Sequence, residues 1–146
     1  MIREGKIEDF DQILVLCERF WRETEFDEEF EPTQSLNLLS LSLDQGILAV
    51  AEVDGDIIGF SCGLKSPLMG NQSVFSGVEL AWWINPEHRS GSLGSRLFDF
   101  LEGLAKKAGV KYWCMVSLQS SMPDKVNKFY ERKGYHLTEM TYMRRL

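Results

Sequence analysis

The chain has 146 residues, 44% of them hydrophobic and 26% charged, enough apolar material for one domain with a packed core and too much for a disordered chain. No apolar run approaches the roughly 20 residues of a membrane-spanning helix, and the opening MIREGKIEDF has no apolar signal segment, so a cytoplasmic location without membrane association is expected. A net charge of −6 sets the overall field against phosphate backbones and argues against nucleic acid as a partner.

Residues 2–4 read as a short first strand. Over residues 9–22 the stripe Phe10, Ile13, Leu14, Cys17 and Trp21 has helical spacing, and Asp9 with Gln12 is spaced as a capping box. The acidic run ETEFDEEFEPT follows, and Pro32 opens a second, shorter helix over about residues 33–44. GILAVAEVDGDIIGFSCGL (46–64) predicts a hairpin, because Asp54-Gly55 suits a tight turn between two β-rich runs. SVFSGVELAWWINP (73–86) predicts another strand, stopped at Asn85-Pro86. Leu93, Leu97, Leu101, Leu104 and Ala108 share one face of a helix over 93–108 that Gly109 ends. KYWCMVSL (111–118) predicts a buried strand. A helix over 122–133 follows, with Ser121 and Asp124 as caps and Gly134 as its stop, and TYMRRL (141–146) predicts a final strand. The order β-α-α-β-β-β-α-β-α-β implies a mixed α/β sheet in a single domain over residues 1–146, with the helix at 93–108 joining parallel neighbours.

Charge is unevenly spread. Residues 1–85 hold 5 Lys/Arg against 16 Asp/Glu, a net of −11, whereas residues 86–133 hold 9 against 5, a net of +4. Such a chain can take an anion on one side and a cation on the other. Cys17, Cys62 and Cys114 sit among apolar neighbours without a CxxC pair and are expected to be buried, reduced thiols. With only His88 and His136 beside them, no metal site is expected. GFSCG (59–63) has the spacing of a nucleophile elbow, but LKSPLMGN follows it where that motif requires a helix. Neither a dinucleotide-binding GxGxxG nor a phosphate-loop GK[ST] is present.

The informative joint is NPEHRSGSLGSRLFDFLE (85–102). Arg89, Ser90, Gly91, Ser92, Leu93, Gly94 and Ser95 carry the chain from a hydrophobic strand into an amphipathic helix. The joint is either a plain turn or a place where free N–H groups at a helix start meet an anion. It resembles the Q/R-x-x-G-x-G/A motif of the GCN5-related N-acetyltransferase (GNAT) superfamily, matching at Arg89 and Gly94, with Ser92 in place of the first glycine and Gly91 one position earlier. NKFYERKGY (127–135) resembles the same family's Tyr-bearing helix, with Tyr130 on the tyrosine. Pro123 stands where many members have an asparagine seven residues before it, so no such contact is carried over.

The resemblance implies a GNAT fold with a mixed sheet of six to seven strands flanked by about four helices, and acetyl-CoA as acetyl donor. It assigns residues 89–95 to the pyrophosphate, and residues 78–85 and 111–118 to two splayed strands, the first lying along the pantetheine arm. A backbone N–H near Trp83 or Ile84 then polarises the thioester carbonyl. VELAWWI resembles the family strand whose glutamate takes the amine proton, making Glu79 the candidate base; a strand glutamate facing solvent and an ordered water as base are the alternatives. Tyr130 is the candidate acid for the leaving thiolate.

The family builds acceptor sites from the region of the acidic run. Trp21, Glu25, Phe26, Asp27 and Glu28 are therefore candidates for holding a cationic amine, on a small molecule or a peptide, against the alternative of a solvated loop. Three functional classes remain open: an N-acetyltransferase, a GNAT-fold module that binds acyl-CoA without catalysis, or an unrelated anion-binding α/β module. A homodimer is compatible with the aromatic content.

Overall fold

The computed structural model describes residues 1–146, in two compact units, Met1–Val116 and Ser117–Leu146. The first contains strands β1 (Ile2–Glu4), β2 (Leu48–Val53), β3 (Asp56–Leu68), β4 (Asn71–Ile84) and β5 (Val110–Cys114), and helices α1 (Phe10–Trp21), α2 (Pro32–Asp44) and α3 (Leu93–Lys107). The strands form one sheet in the order β1-β2-β3-β4-β5. The β4–β5 pair is parallel and the others antiparallel.

Alternation along β2 divides the core. Leu48 and Val50 face a cluster with Phe10, Ile13 and Leu16 of α1 and Leu39 of α2. Ala49 and Ala51 face the opposite cluster, built on Leu97, Leu101, Leu104 and Ala105 of α3. A period of 2 in the strand thus meets a period near 3.6 in the helices, and the sheet is covered on both faces.

The Asp54-Gly55 turn forms as expected, with both residues at positive φ (52° and 91°), the geometry that matches strand twist in a two-residue hairpin. The next hairpin is longer than the sequence suggested: β3 runs on to Leu68 and turns through Met69-Gly70 into β4. The expected Asp9–Gln12 capping box is absent. Asp9 instead accepts the Lys6 N–H at 2.9 Å and two bonds from Arg3 at 2.7 and 2.8 Å, and the Arg3 guanidinium holds its carboxyl below the ordinary range. Gln12 reaches out to accept the Ile57 N–H at 2.8 Å. Tertiary partners have displaced a local cap.

β5 is shorter than the predicted 111–118 and is an edge strand, with Lys111, Tyr112 and Cys114 exposed. Val110 and Trp113 are half-buried against the α3 side of the core. Of the three thiols, Cys62 is buried and Cys17 half-buried, but Cys114 is exposed. Burial pushes the Cys17 thiol up to about 12 and the Cys62 thiol higher still.

The second unit holds α4 (Pro123–Arg132), whose N-cap position falls on Met122 at φ 47°, not on Ser121 or Asp124. Gly134 closes α4 at φ 89°, and the Tyr135 N–H bonds back to Tyr130 O at 3.0 Å. Residues 141–146 form no strand. The sheet therefore has five strands, not six or seven, while the four α-helices match the expectation.

Candidate active site

The site begins with an irregularity in β4. Glu79 pairs with Gly63 and Ala81 with Cys62, so Leu80 has no partner on β3 and the strand bulges there. On the other side β5 accompanies β4 only over Phe75–Val78. Beyond Val78 the two parallel strands separate, and the β4 edge from Glu79 to Ile84 has no strand beside it.

Glu79 stands at this fork and is only 5% exposed. Its Oε2 accepts the N–H of Val116, just past the end of β5, at 3.2 Å. That bond favours the carboxylate, but burial outweighs it and pushes the carboxyl up from 4.5 to about 7. Its burial excludes the reading of Glu79 as a solvent-facing strand residue. A buried acid half-ionised near neutrality is suited to taking a proton.

The open edge has a defined polarity. Asn85 N–H bonds to Ile58 O at 2.9 Å, which fixes the ladder's phase: the N–H groups of Trp82 and Ile84 point to the open edge, and that of Trp83 points to β3. Of the two residues expected to face a thioester carbonyl, Ile84 turns its N–H to the open edge and Trp83 does not.

The chain then makes a short turn at Pro86–His88 and enters α3. The N–H groups of residues 90–95 bond to nothing within the protein; the first helical bond runs from Arg96 N to Ser92 O at 2.9 Å. Gly91 has φ 86°, a conformation a side chain would strain. The first turn of α3 carries no acidic residue. A row of free N–H groups at the positive end of a 15-residue helix suits a phosphate. Ser90, Gly91, Ser92, Leu93, Gly94 and Ser95 are the residues that present these N–H groups.

Arg89 is placed differently. Its Nε donates to Ile84 O at 2.7 Å, its guanidinium stacks 4.5 Å from the Trp83 ring centre, and a terminal nitrogen lies 3.4 Å from a Glu23 oxygen. Trp83 is a hub: its Nε1 donates to Asn85 Oδ1 at 3.2 Å, Arg19 of α1 donates to the same oxygen at 2.8 Å, and Phe20 meets the ring edge-on at 6.3 Å. Sequence reasoning missed Arg19 and Asn85. Asn85 reads locally as a strand stop before proline, and nothing in either segment announces the other.

After α1 the acidic run forms a compact loop. Trp21 stacks on Phe26 (5.2 Å, 11°), and its Nε1 donates to Glu28 O at 2.8 Å. A cleft of about 510 Å³ opens here, lined by Glu18, Trp21, Arg22, Phe26, Asp27, Glu28, Glu29 and Phe30. Glu25 is not among its walls. Glu31 is the N-cap of α2, accepting the Thr33 N–H at 3.0 Å.

Tyr130 lies on α4 in the second unit, 8% exposed, with Phe129 and Tyr135 as ring neighbours at 6.1 and 6.0 Å.

Among solved structures, the chain is similar in fold to a ribosomal-protein-alanine N-acetyltransferase from Brucella melitensis biovar Abortus 2308, at 18% identity over 100% of this chain and 99% of that one, with a TM-score of 0.74. It is similar to a predicted acetyltransferase with acetyl-CoA from Clostridium acetobutylicum at 16% identity (99% and 95% covered, TM-score 0.76). An aminoglycoside acetyltransferase from an uncultured soil metagenomic sample matches at 14% identity (100% and 97% covered, TM-score 0.76). No curated protein matches the chain in sequence. The model of the acetyltransferase (GNAT) family matches residues 7–135, a span that holds the strand fork, the N–H loop and Tyr130, and the chain belongs to that family.

Proposed function

We propose that the protein transfers the acetyl group of acetyl-CoA directly to a primary amine on a cationic small molecule, a lysine or a peptide N-terminus. The observation that carries this reading is Glu79, a buried carboxyl raised to about 7 at the fork of two parallel strands. The donor's pyrophosphate binds the N–H groups of residues 90–95, and its amide-bearing arm lies along the open β4 edge as a fifth strand would. The Ile84 N–H, or that of Trp82, takes the charge that develops on the thioester oxygen.

The amine nitrogen attacks the thioester carbonyl carbon, and its proton passes to Glu79, directly or through water. The carbon–sulfur bond breaks and the electron pair leaves with sulfur. Tyr130, assigned by its place in NKFYERKGY, protonates the thiolate. An ordinary tyrosine of pKa about 10 can give its proton to a thiolate whose acid is near 8.5 when aligned. No bond to the enzyme forms.

The cleft after α1 supports a cationic acceptor: Trp21, Phe26 and Phe30 offer aromatic faces, and Asp27, Glu28 and Glu29 offer negative charge. The test is incubation with acetyl-CoA and a panel of polyamines, aminoglycosides and peptides, following free thiol. Amine-dependent release supports the transferase. Tight acetyl-CoA binding with no release from any amine points to a silent acyl-CoA-binding module.

A further inference from the structure

We infer that Arg89 is a positioning residue that anchors the acceptor-side loop to the donor-side end of β4. Its guanidinium is engaged on three sides: Nε on Ile84 O at 2.7 Å, one face on the Trp83 ring at 4.5 Å, and a terminal nitrogen toward Glu23 at 3.4 Å. Ile84 and Trp83 belong to the strand along which the donor lies. Glu23 follows the last residue of α1 by two and opens the loop that walls the cleft. That loop is held internally by Trp21, through the Phe26 stack and the Glu28 carbonyl. Arg89–Glu23 is the tie that runs from it to β4 through a side chain of the motif itself.

The planar guanidinium is what makes the tie possible. A bond along the plane to the Ile84 carbonyl, a stack across it, and a contact at its far end need a flat group with donors on two edges, which an ammonium cannot supply. The neighbouring Arg19–Asn85–Trp83 bonds hold the body of α1 to the same strand end, so losing Arg89 frees the loop without detaching the helix. The phosphate is then held by backbone N–H groups, and Arg89 sets the acceptor side. This inference rests on the reading that the cleft takes the acceptor.

The test uses the full chain with Arg89→Lys, Glu23→Gln and the double variant. Hydrogen exchange of residues 22–31, measured without any ligand, should quicken about 2–5-fold in each single variant and no further in the double, as for local opening of a segment when a tie shared by both residues is cut. Unchanged exchange in the single variants, or additive effects in the double, overturns the tie. This result does not depend on activity, so it stands apart from the failure of the transferase reading. In turnover, the amine KM should rise about 3–10-fold with kcat held. The rise should be equal with acetyl-CoA and with acetylpantetheine, which has no pyrophosphate. A loss seen with acetyl-CoA alone would make Arg89 a phosphate ligand and overturn the inference.

Discussion

Glu79 Oε2 accepts the Val116 N–H at 3.2 Å, across the point where β4 and β5 separate. One bond thus joins the candidate base to the far side of the fork and leaves its second oxygen without a partner from the backbone. With its carboxyl at about 7, the rate should climb with pH as Glu79 loses its proton and level off above about pH 8. Glu79→Gln should lower kcat about 10²–10⁴-fold and abolish that limb. A variant that keeps the limb would assign it to another group.

The same shift affects stability. Because the folded carboxyl holds its proton more tightly than the unfolded one, its contribution is complete below 4.5 and is lost as pH rises through about 7. Thermal melts of the parent should fall over this window, and those of Glu79→Gln should fall less. Parallel curves for the two proteins would contradict the burial argument.

The N–H loop can be tested without disturbing the fold. A Cβ on Gly94 would meet only the Trp82 ring, at 3.5 Å, an ordinary contact. Gly94→Asp places a carboxylate in the first turn of α3, which favours the helix by about 0.3–1 kcal/mol but repels a phosphate on the same N–H groups. We expect coenzyme A affinity to fall at least about tenfold, or 1.4 kcal/mol, with no loss of melting temperature. Calorimetry showing parental affinity would move the pyrophosphate elsewhere.

Tyr130→Phe removes one hydroxyl and keeps the ring. It should reduce kcat about 10²–10⁴-fold with donor affinity unchanged. Parental turnover would mean that water protonates the thiolate.

Asp27→Asn with Glu28→Gln removes two charges from the cleft wall. KM for a polyamine should rise and lose much of its salt dependence, since exposed charges interact over about 8–10 Å at ordinary ionic strength. KM for acetyl-CoA should not move. Glu25→Gln, outside the cleft, serves as the control; an equal effect from it would show that only general field, and no pocket, acts on the amine.

Trp113 lies across two glycines. A Cβ on Gly77 would come within 2.7 Å of its ring, and one on Gly63 would meet the same ring and the Val78 carbonyl at 2.6 Å. Gly77→Ala should therefore cost about 1–3 kcal/mol through overpacking, read by urea denaturation. A neutral substitution would show that Trp113 moves aside freely.

Sequence by itself determined the features that act over a few residues. The Asp54-Gly55 hairpin, the faces of α1 and α3, and the helix stops at Gly109 and Gly134 follow from turn chemistry and periodicity, which are local. The N–H loop was legible for the same reason, since Arg89 to Ser95 are contiguous. What only the tertiary structure decided are relationships between distant segments. Asp9 and Gln12 gave up a local cap for Arg3 and Ile57, because charged and long-range hydrogen bonds outweigh one helix-end bond. The bulge at Leu80 arises from the register between β3 and β4. Arg89 matched a motif, yet its side chain is committed to Ile84, Trp83 and Glu23. Glu79 is an ordinary carboxylate in the sequence. It becomes a candidate base because folding removes water from around it while leaving one N–H from Val116, and the cost of burying charge is set by the assembled surroundings, not by the residue.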